Sequence, residues 1–403
     1  MSLTRRIKSV VTVLSLRVLG RHYGGAFSLY LDQQHPTHQD YGELESIFET
    51  STGLSIPIYA NYRFQVKAGW QYYGSLQIMG QLKRAGQLTK AELDFFHAAI
   101  GSRTINISID VANEAVQAIA QRLPELFILE SMNDPEYLLL RTTEKEQQKT
   151  VQLYVEQHAS MLKQLAAAKV VYIPAGAALL EIGFMSGGHS TFAFEQLGMR
   201  ASAVDNQYGG LTDDSALHEY NKRTLSSKVE FRQGDITKKT SFESESFDVI
   251  YSASVLEHVQ DLKSAFSEMY RLLKPGGVII HNYAPFFSHN GAHALGIGDS
   301  PWAHVRMNIE DYMSYIEKLR PNEAVMTRDW FSSAMHQDMP QWKVQRLVAE
   351  AGFRIALWKA KPSAKRWLRD LTPEVIRDCF AATPEIGIED LTSQSVSFVG
   401  IKP

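Results

Sequence analysis

Cysteine is almost absent from this sequence of 403 residues. Cys379 is the single one, so the chain cannot form an internal disulfide bond. This shortage fits a reducing compartment, and we expect a cytoplasmic protein. An excess of basic residues is lacking too, because 41 Lys and Arg against 44 Asp and Glu leave a net charge of −3. A broad basic surface for nucleic acid is therefore not expected.

No long apolar run near the N-terminus marks a membrane-spanning helix. The run at residues 10–16 is far shorter than the ~20 residues that a span needs, and no small-residue cleavage site of a signal peptide follows it. Residues 5–21 do combine basic side chains with apolar residues at helical spacing. Two interpretations stay open: a first helix packed on the protein, or a basic helix in peripheral contact with an anionic membrane.

The length predicts two or three domains, at about 100–200 residues each. A polar, charged stretch at residues 141–149 favours a boundary there, and a helix is predicted after it at residues 151–169. We predict an N-terminal accessory region at residues 1–147, mainly helical, and a second domain at residues 148–403. The helical prediction rests on a capping box followed by apolar residues at helical spacing within residues 89–100, and on a second helical pattern at residues 110–123.

From residue 178 onward, strand and helix patterns alternate. Predicted strands lie at residues 178–182, 200–205, 229–232, 247–251 and 278–281, and predicted helices at 190–197, 214–223 and 261–273. This order predicts an α/β fold with a doubly wound, mostly parallel sheet. Ligands of such sheets bind beyond the carboxyl ends of the strands, so residues at those ends are the candidates for a site.

The rest of the chain is predicted to close this sheet. Helices are predicted at residues 308–319, with Asn308 as the cap, and at 341–352, and strands at 353–358 and 396–401. The segments at residues 283–340 and 361–392 are longer than connections need to be. We expect these two insertions to build a pocket, together with the N-terminal region.

The stretch LLEIGFMSGG at residues 179–188 carries a glycine-rich turn after the first strand. The dinucleotide pattern G-x-G-x-x-G maps onto Gly183, Met185 and Gly188, and the long Met185 side chain disfavours a pyrophosphate at its middle position. Asp205 follows the second strand, where a carboxylate can bind a ribose. These features favour a ribonucleoside cofactor without a pyrophosphate, such as S-adenosylmethionine, over the nicotinamide cofactor of an oxidoreductase.

Five motifs between residues 175 and 282 resemble those of class I S-adenosylmethionine-dependent methyltransferases, in the same order. They are residues 180–187, Val204-Asp205, Gly234-Asp235-Ile236, residues 247–259 and residues 272–277. The resemblance implies a seven-stranded sheet whose last strand inserts antiparallel. Met185 departs from the first motif, which has a glycine there. A non-catalytic relative that serves as a partner subunit is the alternative that this departure leaves open.

The resemblance also implies a set of cofactor-binding residues. They are Glu181, Gly183, Phe184, Met185, Ser186, Gly187, Asp205, Asn206, Asp235, Ile236, Ser252 and Ala253. Glu181 is expected to hold loop amides or the cofactor's ammonium group through water, Asp205 the ribose, and Asp235 the adenine amine. For Asp235, a role as a turn residue stays open.

Four histidines follow within 24 positions, at 281, 289, 293 and 304, with Phe286, Phe287 and Trp302 between them. Histidine is the usual base near neutral pH, so we predict that His281 or His289 removes a proton from the acceptor. His258, in a predicted helix after the fourth strand, is a further candidate. Two alternatives are histidines that bond backbone groups and a metal site; the histidine spacings match no standard zinc pattern, and no metal is predicted.

The acceptor is predicted to be a hydroxyl of a sugar or another polar small molecule. The histidine-rich stretch ends in Pro-Trp-Ala-His at residues 301–304. It resembles stretches in uncharacterised members of the same family, some of which are linked to glycan biosynthesis. The partner predicted for this chain is therefore a small-molecule or glycan acceptor.

Overall fold

A computed structural model describes residues 44–59, 62, 144–184, 188–206, 221–293, 298–321 and 324–403. The chain divides into two compact units. The first, here called the sheet unit, contains the described residues of Ile128–Tyr283, together with Trp342–Lys359 and Val396–Pro403. The second, the insertion unit, contains residues 284–341 and 360–395 together with the described residues of the N-terminal region. The helices predicted at residues 5–21, 89–100 and 110–123 lie outside the described residues.

The described strands and helices are numbered in chain order. The strands are β1 (Leu44–Glu49), β2 (Ser55–Tyr59), β3 (Ala178–Ile182), β4 (Arg200–Asp205), β5 (Glu230–Gln233), β6 (Phe247–Ala253), β7 (Leu273–Tyr283), β8 (Arg354–Pro362) and β9 (Ser393–Ile401). The helices are α1 (Glu144–Ala167), α2 (His189–Gln196), α3 (Leu262–Leu272), α4 (Ala303–Arg306), α5 (Ile309–Leu319), α6 (Ala324–Asp329), α7 (Gln341–Glu350), α8 (Lys365–Leu368), α9 (Pro373–Ala382) and α10 (Ile388–Thr392).

Seven strands form one sheet in the order β5-β4-β3-β6-β7-β9-β8. The pairs β4–β5, β3–β4, β3–β6 and β6–β7 are parallel, and β9 pairs antiparallel with β7. The predicted fold class and the antiparallel insertion of the last strand are therefore confirmed. All five residues of the central strand β3 are buried, as expected for a strand that helices cover on both faces.

One face of the sheet packs against α1 and α2. Val151 and Leu165 of α1 and Phe192 and Phe194 of α2 are buried against Leu179 and other apolar side chains of the sheet. Since side chains alternate along a strand, Glu181 shares this face with Leu179. Helix α1 begins at Glu144, inside the stretch predicted to be a boundary, so this helix is longer than the predicted one at residues 151–169.

The opposite face packs against α3. Leu262, Phe266 and Met269 of this helix are buried, as their helical spacing predicts. Asp261 caps the helix, because its side chain accepts a hydrogen bond from the backbone amide of Ser264 at 3.0 Å. The ring of Phe266 meets His281 and Phe398 of the sheet edge-on, with centroids 6.3 Å away in both cases.

The insertion unit begins with an antiparallel hairpin of β1 and β2. This hairpin lies in the region predicted to be mainly helical, and it is a feature that the prediction did not include. The hairpin turn meets α5, where the carboxylate of Asp311 accepts hydrogen bonds from the amide and hydroxyl of Ser51 at 2.8 and 2.9 Å. Asn308 caps α5 through the amide of Asp311, as predicted.

A buried ion pair joins two helices of the insertion unit. Arg306 at the end of α4 donates to the carboxylate of Asp378 in α9 at 2.7 Å, and the Arg306 side chain is 2% exposed. Arg306 also donates to the hydroxyl of Ser300 at 2.8 Å. Cys379, the next residue of α9, is fully buried, and burial raises the pKa of its thiol.

Among the described residues, no helix is long and apolar enough to cross a membrane.

Replacing Asp378 by Ala should lower the free energy of unfolding by about 3–5 kcal/mol. The reason is that the substitution leaves the Arg306 guanidinium buried without its counter-charge. Urea unfolding followed by tryptophan fluorescence measures the change. Glu350→Ala is the matched control, because it breaks the exposed pair of Arg346 and Glu350, for which we expect less than about 1 kcal/mol. Equal effects of the two variants would contradict this role for the buried pair.

Candidate functional site

The turn after β3 depends on a glycine at position 183. Gly183 has a φ of +69°, in the left-handed region, and its amide donates to the carbonyl of Val204 in β4 at 2.9 Å. A Cβ at this position would lie 2.5 Å from a methyl carbon of Val255, in the segment that follows β6. The turn is therefore held closely between β4 and that segment, at the carboxyl ends of the strands. Met185, Ser186 and Gly187 lie outside the described residues, so the interpretation of Met185 stays a prediction.

Glu181, two residues before this turn, is buried inside the sheet unit with 4% exposure. Its carboxylate accepts hydrogen bonds from the hydroxyl groups of Thr191 and Ser190, at the start of α2. The pKa of Glu181 is raised to about 7, mainly by burial. The two hydroxyl donors lower it, and the negative charge of Asp205 raises it. A carboxyl group in this state changes its charge near neutral pH.

His158 of α1 extends this buried group. Its Nε2 atom lies 2.7 Å from the hydroxyl oxygen of Ser190, and its ring stacks on Phe194 with centroids 4.2 Å apart. Burial lowers the pKa of His158 to about 4, so the ring is neutral at physiological pH. The neighbouring Tyr251 of β6 also bonds Ser190, and burial raises the pKa of its phenol. His158, Ser190 and Tyr251 were not among the predicted site residues.

Asp205 ends β4, directly beside the glycine turn. The register pairs Ile182 of β3 with Val204, so Asp205 comes one residue beyond the last paired position. Its side chain is partly buried, and Asn206 after it is exposed. This is the position that the resemblance implies for a ribose-binding carboxylate.

Asp235 lies in a tight turn after β5 and has partners of its own. Its carboxylate accepts hydrogen bonds from the amide and hydroxyl of Thr237 at 2.9 and 2.7 Å, and it pairs with Lys238 at 3.1 Å. Burial alone would raise the pKa of Asp235, but these bonds and the Lys238 charge outweigh it and hold the pKa below its usual value. Asp235 therefore stabilises the turn, which is the alternative role that the sequence left open. Its predicted contact with an adenine stays a prediction. Ile236, the next residue, is buried.

Ser252 and His281 form a buried cross-strand pair on β6 and β7. The Ser252 hydroxyl oxygen lies 2.6 Å from Nδ1 of His281, and both side chains are almost fully buried. The register pairs Tyr251 with Glu181, so Ser252 and His281 belong to the opposite face, under α3. Burial lowers the pKa of His281 to about 3. Ala253, which ends β6, is exposed.

The other two predicted bases have different surroundings. His258 was predicted to lie in a helix after the fourth strand of the sheet; it lies instead in a single 3-10 turn at Leu256–His258, and it is partly buried. His289 belongs to the insertion unit, where it stacks on Trp367 with centroids 4.6 Å apart. The Tyr62 hydroxyl lies 3.2 Å from Nε2 of His289.

The interleaved aromatic residues and His304 hold the chain after β7. The indole nitrogen of Trp302 donates to the carbonyl of Phe287 at 3.1 Å. Nε2 of His304 lies 3.0 Å from the carbonyl of Phe286 and 3.2 Å from that of Ser288. His304 therefore bonds backbone groups, which is one of the two alternatives that the sequence left open for these histidines.

Replacing Glu181 by Gln should change how stability depends on pH. The folded-state pKa of about 7 lies above the ordinary value of 4.5, so the contribution of Glu181 is fully present below pH 4.5 and is lost as the pH rises through 7. The Gln variant should therefore gain about 3 kcal/mol relative to the wild type between pH 4.5 and pH 8. Urea unfolding across this range measures the difference.

Glu156→Gln is the control for this experiment, because it removes an exposed carboxylate of α1 without changing the buried group. A difference between Glu181→Gln and the wild type that stays constant with pH would mean that Glu181 is already ionised in the folded protein at low pH.

A family model described as a methyltransferase domain matches residues 180–281. Among similar proteins, a sterol 24-C-methyltransferase of Gibberella zeae is 32% identical over 111 residues, which are 28% of this chain and 28% of that protein. Phosphoethanolamine N-methyltransferase 1 of Zea mays is 33% identical over 111 residues, 27% of this chain and 21% of that protein. The chain thus spans only about a quarter of the length of these relatives.

Two solved structures are also similar to this chain. Geranyl diphosphate methyltransferase in complex with GPP and sinefungin has a TM-score of 0.38 and 14% identity, over 62% of this chain and 78% of its own. Phosphoethanolamine N-methyltransferase 2 of Haemonchus contortus, in complex with S-adenosyl-L-methionine, has a TM-score of 0.37 and 17% identity, over 65% of this chain and 57% of its own.

The matched residues run from β3 to β7, the part of the sheet that holds Glu181, Gly183 and Asp205. The number of strands and the antiparallel insertion of the last strand are those that the resemblance in the sequence implies. Residues 180–281 of this chain are a methyltransferase domain of the class I, S-adenosylmethionine-dependent type.

Proposed function

We propose that this protein transfers a methyl group from S-adenosylmethionine to a hydroxyl group of a small-molecule acceptor. The observation that carries the proposal is the glycine turn at the carboxyl ends of β3 and β4. Gly183 has no room for a Cβ there, the buried Glu181 precedes it, and Asp205 lies beside it. This arrangement lies inside the matched methyltransferase domain.

The residues around the turn fit this cofactor by charge and by shape. S-adenosylmethionine carries a sulfonium and an ammonium group, and Asp205 is close enough to Glu181 that its negative charge disfavours the ionised form of Glu181. A cationic ligand beside them relieves that repulsion. The carboxylate of Asp205 at the strand end suits the two hydroxyls of a ribose, as in other sheets of this architecture.

When bound, the cofactor supplies an electrophilic methyl group. The task of this chain is then to orient donor and acceptor, which is worth up to ~7–11 kcal/mol of the barrier in well-oriented reactions. Asp205 would orient the ribose. Glu181 would hold the amino-acid end of the cofactor or the loop amides, and the hydroxyls of Ser190 and Thr191 fix its carboxylate for that role.

The acceptor is chosen outside the matched domain. The relatives that share this domain are named for a sterol and for phosphoethanolamine, two very different acceptors. Specificity in this chain therefore belongs to residues 284–341 and 360–395, the segments that the insertion unit adds. We keep a sugar or another polar small molecule as the proposed acceptor, with its hydroxyl oxygen as the methylated atom.

Of the three candidate bases, His258 suits the proposal best. His281 is buried on the sheet face opposite Glu181, and its lowered pKa makes it a poor proton acceptor. His289 is 4% exposed and stacked on Trp367. His258 follows β6 at the carboxyl edge of the sheet, on the same segment as Val255, and it is partly buried. The order of the predicted bases is thus reversed in this proposal.

Calorimetry should detect binding of S-adenosylmethionine and of its demethylated product, but not of NAD. Asp205→Ala should weaken cofactor binding by about 1–3 kcal/mol, roughly five- to 150-fold, because a partner of the ribose hydroxyls is lost. Asp248→Asn is the matched control, since Asp248 lies at the amino end of β6 and bonds Lys274 and the amide of Ala178. Its affinity for the cofactor should stay within twofold of the wild type. Binding of NAD in preference to S-adenosylmethionine would overturn the proposal.

The acceptor can be sought with a cofactor whose methyl group carries deuterium. We expect labelled product among hydroxylated small molecules of a metabolite extract, detected by mass spectrometry. His258→Ala should then lower turnover by about 10²–10⁴-fold at nearly constant cofactor affinity, and the acidic limb of the pH–rate profile should disappear. His336→Ala is the control, because His336 bonds the carbonyl of Asp338 in the insertion unit.

Two results would count against this assignment. Normal turnover of His258→Ala would remove His258 as the base. Cofactor binding without any labelled product, across extracts of several kinds, would favour the non-catalytic partner subunit instead.

A further inference from the structure

The insertion unit contains a cavity of about 120 Å³ beside the segment that follows β7. Its walls are mostly apolar and aromatic: Phe286, Phe287, Met307, Ile309, Tyr312 and Phe331. The two phenylalanines come three and four residues after the end of β7.

Buried polar contacts hold the walls of this cavity in place. Trp302 and His304 both bond the backbone that carries Phe286 and Phe287. The ion pair of Arg306 and Asp378 joins α4 to α9, and Thr383 at the end of α9 lines the cavity. Because these contacts lie within the protein itself, the cavity is formed before any ligand arrives.

The polar groups of the lining define the chemistry of a ligand. None of the described lining residues is Asp, Glu, Lys or Arg, so the cavity offers no counter-charge. Asn308 is engaged as the cap of α5, and the side-chain amide nitrogen of Gln337 donates to the carbonyl of Phe331 at 2.7 Å. The lining therefore retains only a few neutral groups for a ligand.

His304 supplies the most specific of these groups. Its Nε2 atom donates to the backbone carbonyls of Phe286 and Ser288, so that nitrogen carries the hydrogen. In the neutral ring, Nδ1 then keeps its lone pair and can accept a hydrogen bond. Burial lowers the pKa of His304 to about 4, which keeps the ring neutral.

The size of the cavity limits the ligand to one ring. An engineered apolar cavity of ~150 Å³ in another protein holds a benzene molecule. A space of about 120 Å³ that opens between aromatic side chains therefore matches one six-membered ring or a branched alkyl group of similar volume. A sugar ring with several hydroxyls would leave most of them without partners among the few neutral groups of the lining.

We propose that this cavity binds an uncharged, largely apolar ring of the acceptor, and that a hydroxyl on this ring donates to Nδ1 of His304. The inference rests on the proposed function only in naming the ligand as part of the acceptor; binding of the ring does not require methyl transfer. Of the acceptors proposed above, it favours another polar small molecule that presents such a ring, for example a phenol or a cyclic alcohol, over a sugar.

Fluorine NMR with the full chain tests the cavity directly. The probes are 4-fluorophenol, fluorobenzene without the hydroxyl, and 4-fluorobenzoate with a negative charge. We expect saturable binding of 4-fluorophenol, about fivefold weaker binding of fluorobenzene because one hydrogen bond is missing, and no saturable binding of 4-fluorobenzoate.

Two variants locate the binding. Thr383→Phe fills the cavity from its partly buried rim and should weaken binding of 4-fluorophenol at least tenfold. His304→Gln keeps an N–H for the carbonyls of Phe286 and Ser288 but lacks the second ring nitrogen, so its affinity for 4-fluorophenol should fall to that for fluorobenzene. Thermal melting verifies that each variant is folded, and either variant alone suffices for the test.

Several results would overturn the proposal. The first is equal binding of 4-fluorophenol to the wild type and to folded Thr383→Phe. The second is binding of 4-fluorobenzoate that is as tight as that of 4-fluorophenol. The third is that none of the probes binds. Equal affinities for 4-fluorophenol and fluorobenzene would remove the role of His304. Cofactor binding is measured separately by calorimetry, so the cavity proposal can fail while the proposed methyltransferase function stands.

Discussion

The close approach of Gly183 to Val255 is the constraint on which the candidate site depends. A backbone in the left-handed region, with 2.5 Å between an added Cβ and a valine methyl carbon, leaves one residue type for this position. The turn links three neighbouring strands, because Gly183 follows β3, bonds β4 and approaches the segment after β6. Glu181 and Asp205 owe their positions to this turn, since one precedes it and the other ends the strand that it bonds.

Both units contain polar groups inside an apolar interior, but they use them differently. In the sheet unit, Glu181 accepts hydrogen bonds from two hydroxyl groups, and one of these, that of Ser190, also contacts the neutral ring of His158. The charge of Glu181 therefore responds to its surroundings. In the insertion unit, the charges of Arg306 and Asp378 are matched by direct contact. The first arrangement suits a group that meets a ligand, and the second suits a scaffold, because a matched pair resists any change that would separate it.

Much of the fold could be predicted from the sequence, since its signals are local. The apolar strands from 178 to 205, the Asn308 cap and the glycine after β3 follow from neighbouring residues alone. Contacts between distant residues could not be predicted in this way. His158 reaches Ser190 across 32 positions, and no pattern around His158 marks it as part of the site.

The candidate site was predicted well where it follows strand ends and poorly where it depends on side-chain direction. Asp205 lies where the motif implied. The position of His281 at the end of the strand predicted at residues 278–281 suggested access to a ligand. The alternation of side chains along β7 places it instead on the buried face under α3. Asp235 likewise matched a motif, yet Thr237 and Lys238 beside it already engage its carboxylate. Whether a carboxylate bonds its neighbours in the chain or a ligand depends on the three-dimensional arrangement of both, which a sequence motif does not contain.

The burial of Cys379 has a practical consequence for spectroscopy. Its thiol is enclosed in the insertion unit and its pKa is raised, so little thiolate is present to react with maleimides or methanethiosulfonates. A cysteine introduced at an exposed position, such as Tyr172 with 78% exposure, would then be the preferred target of a label. Fluorescent or spin labels can therefore be attached at chosen positions of the natural chain, without first removing its own cysteine.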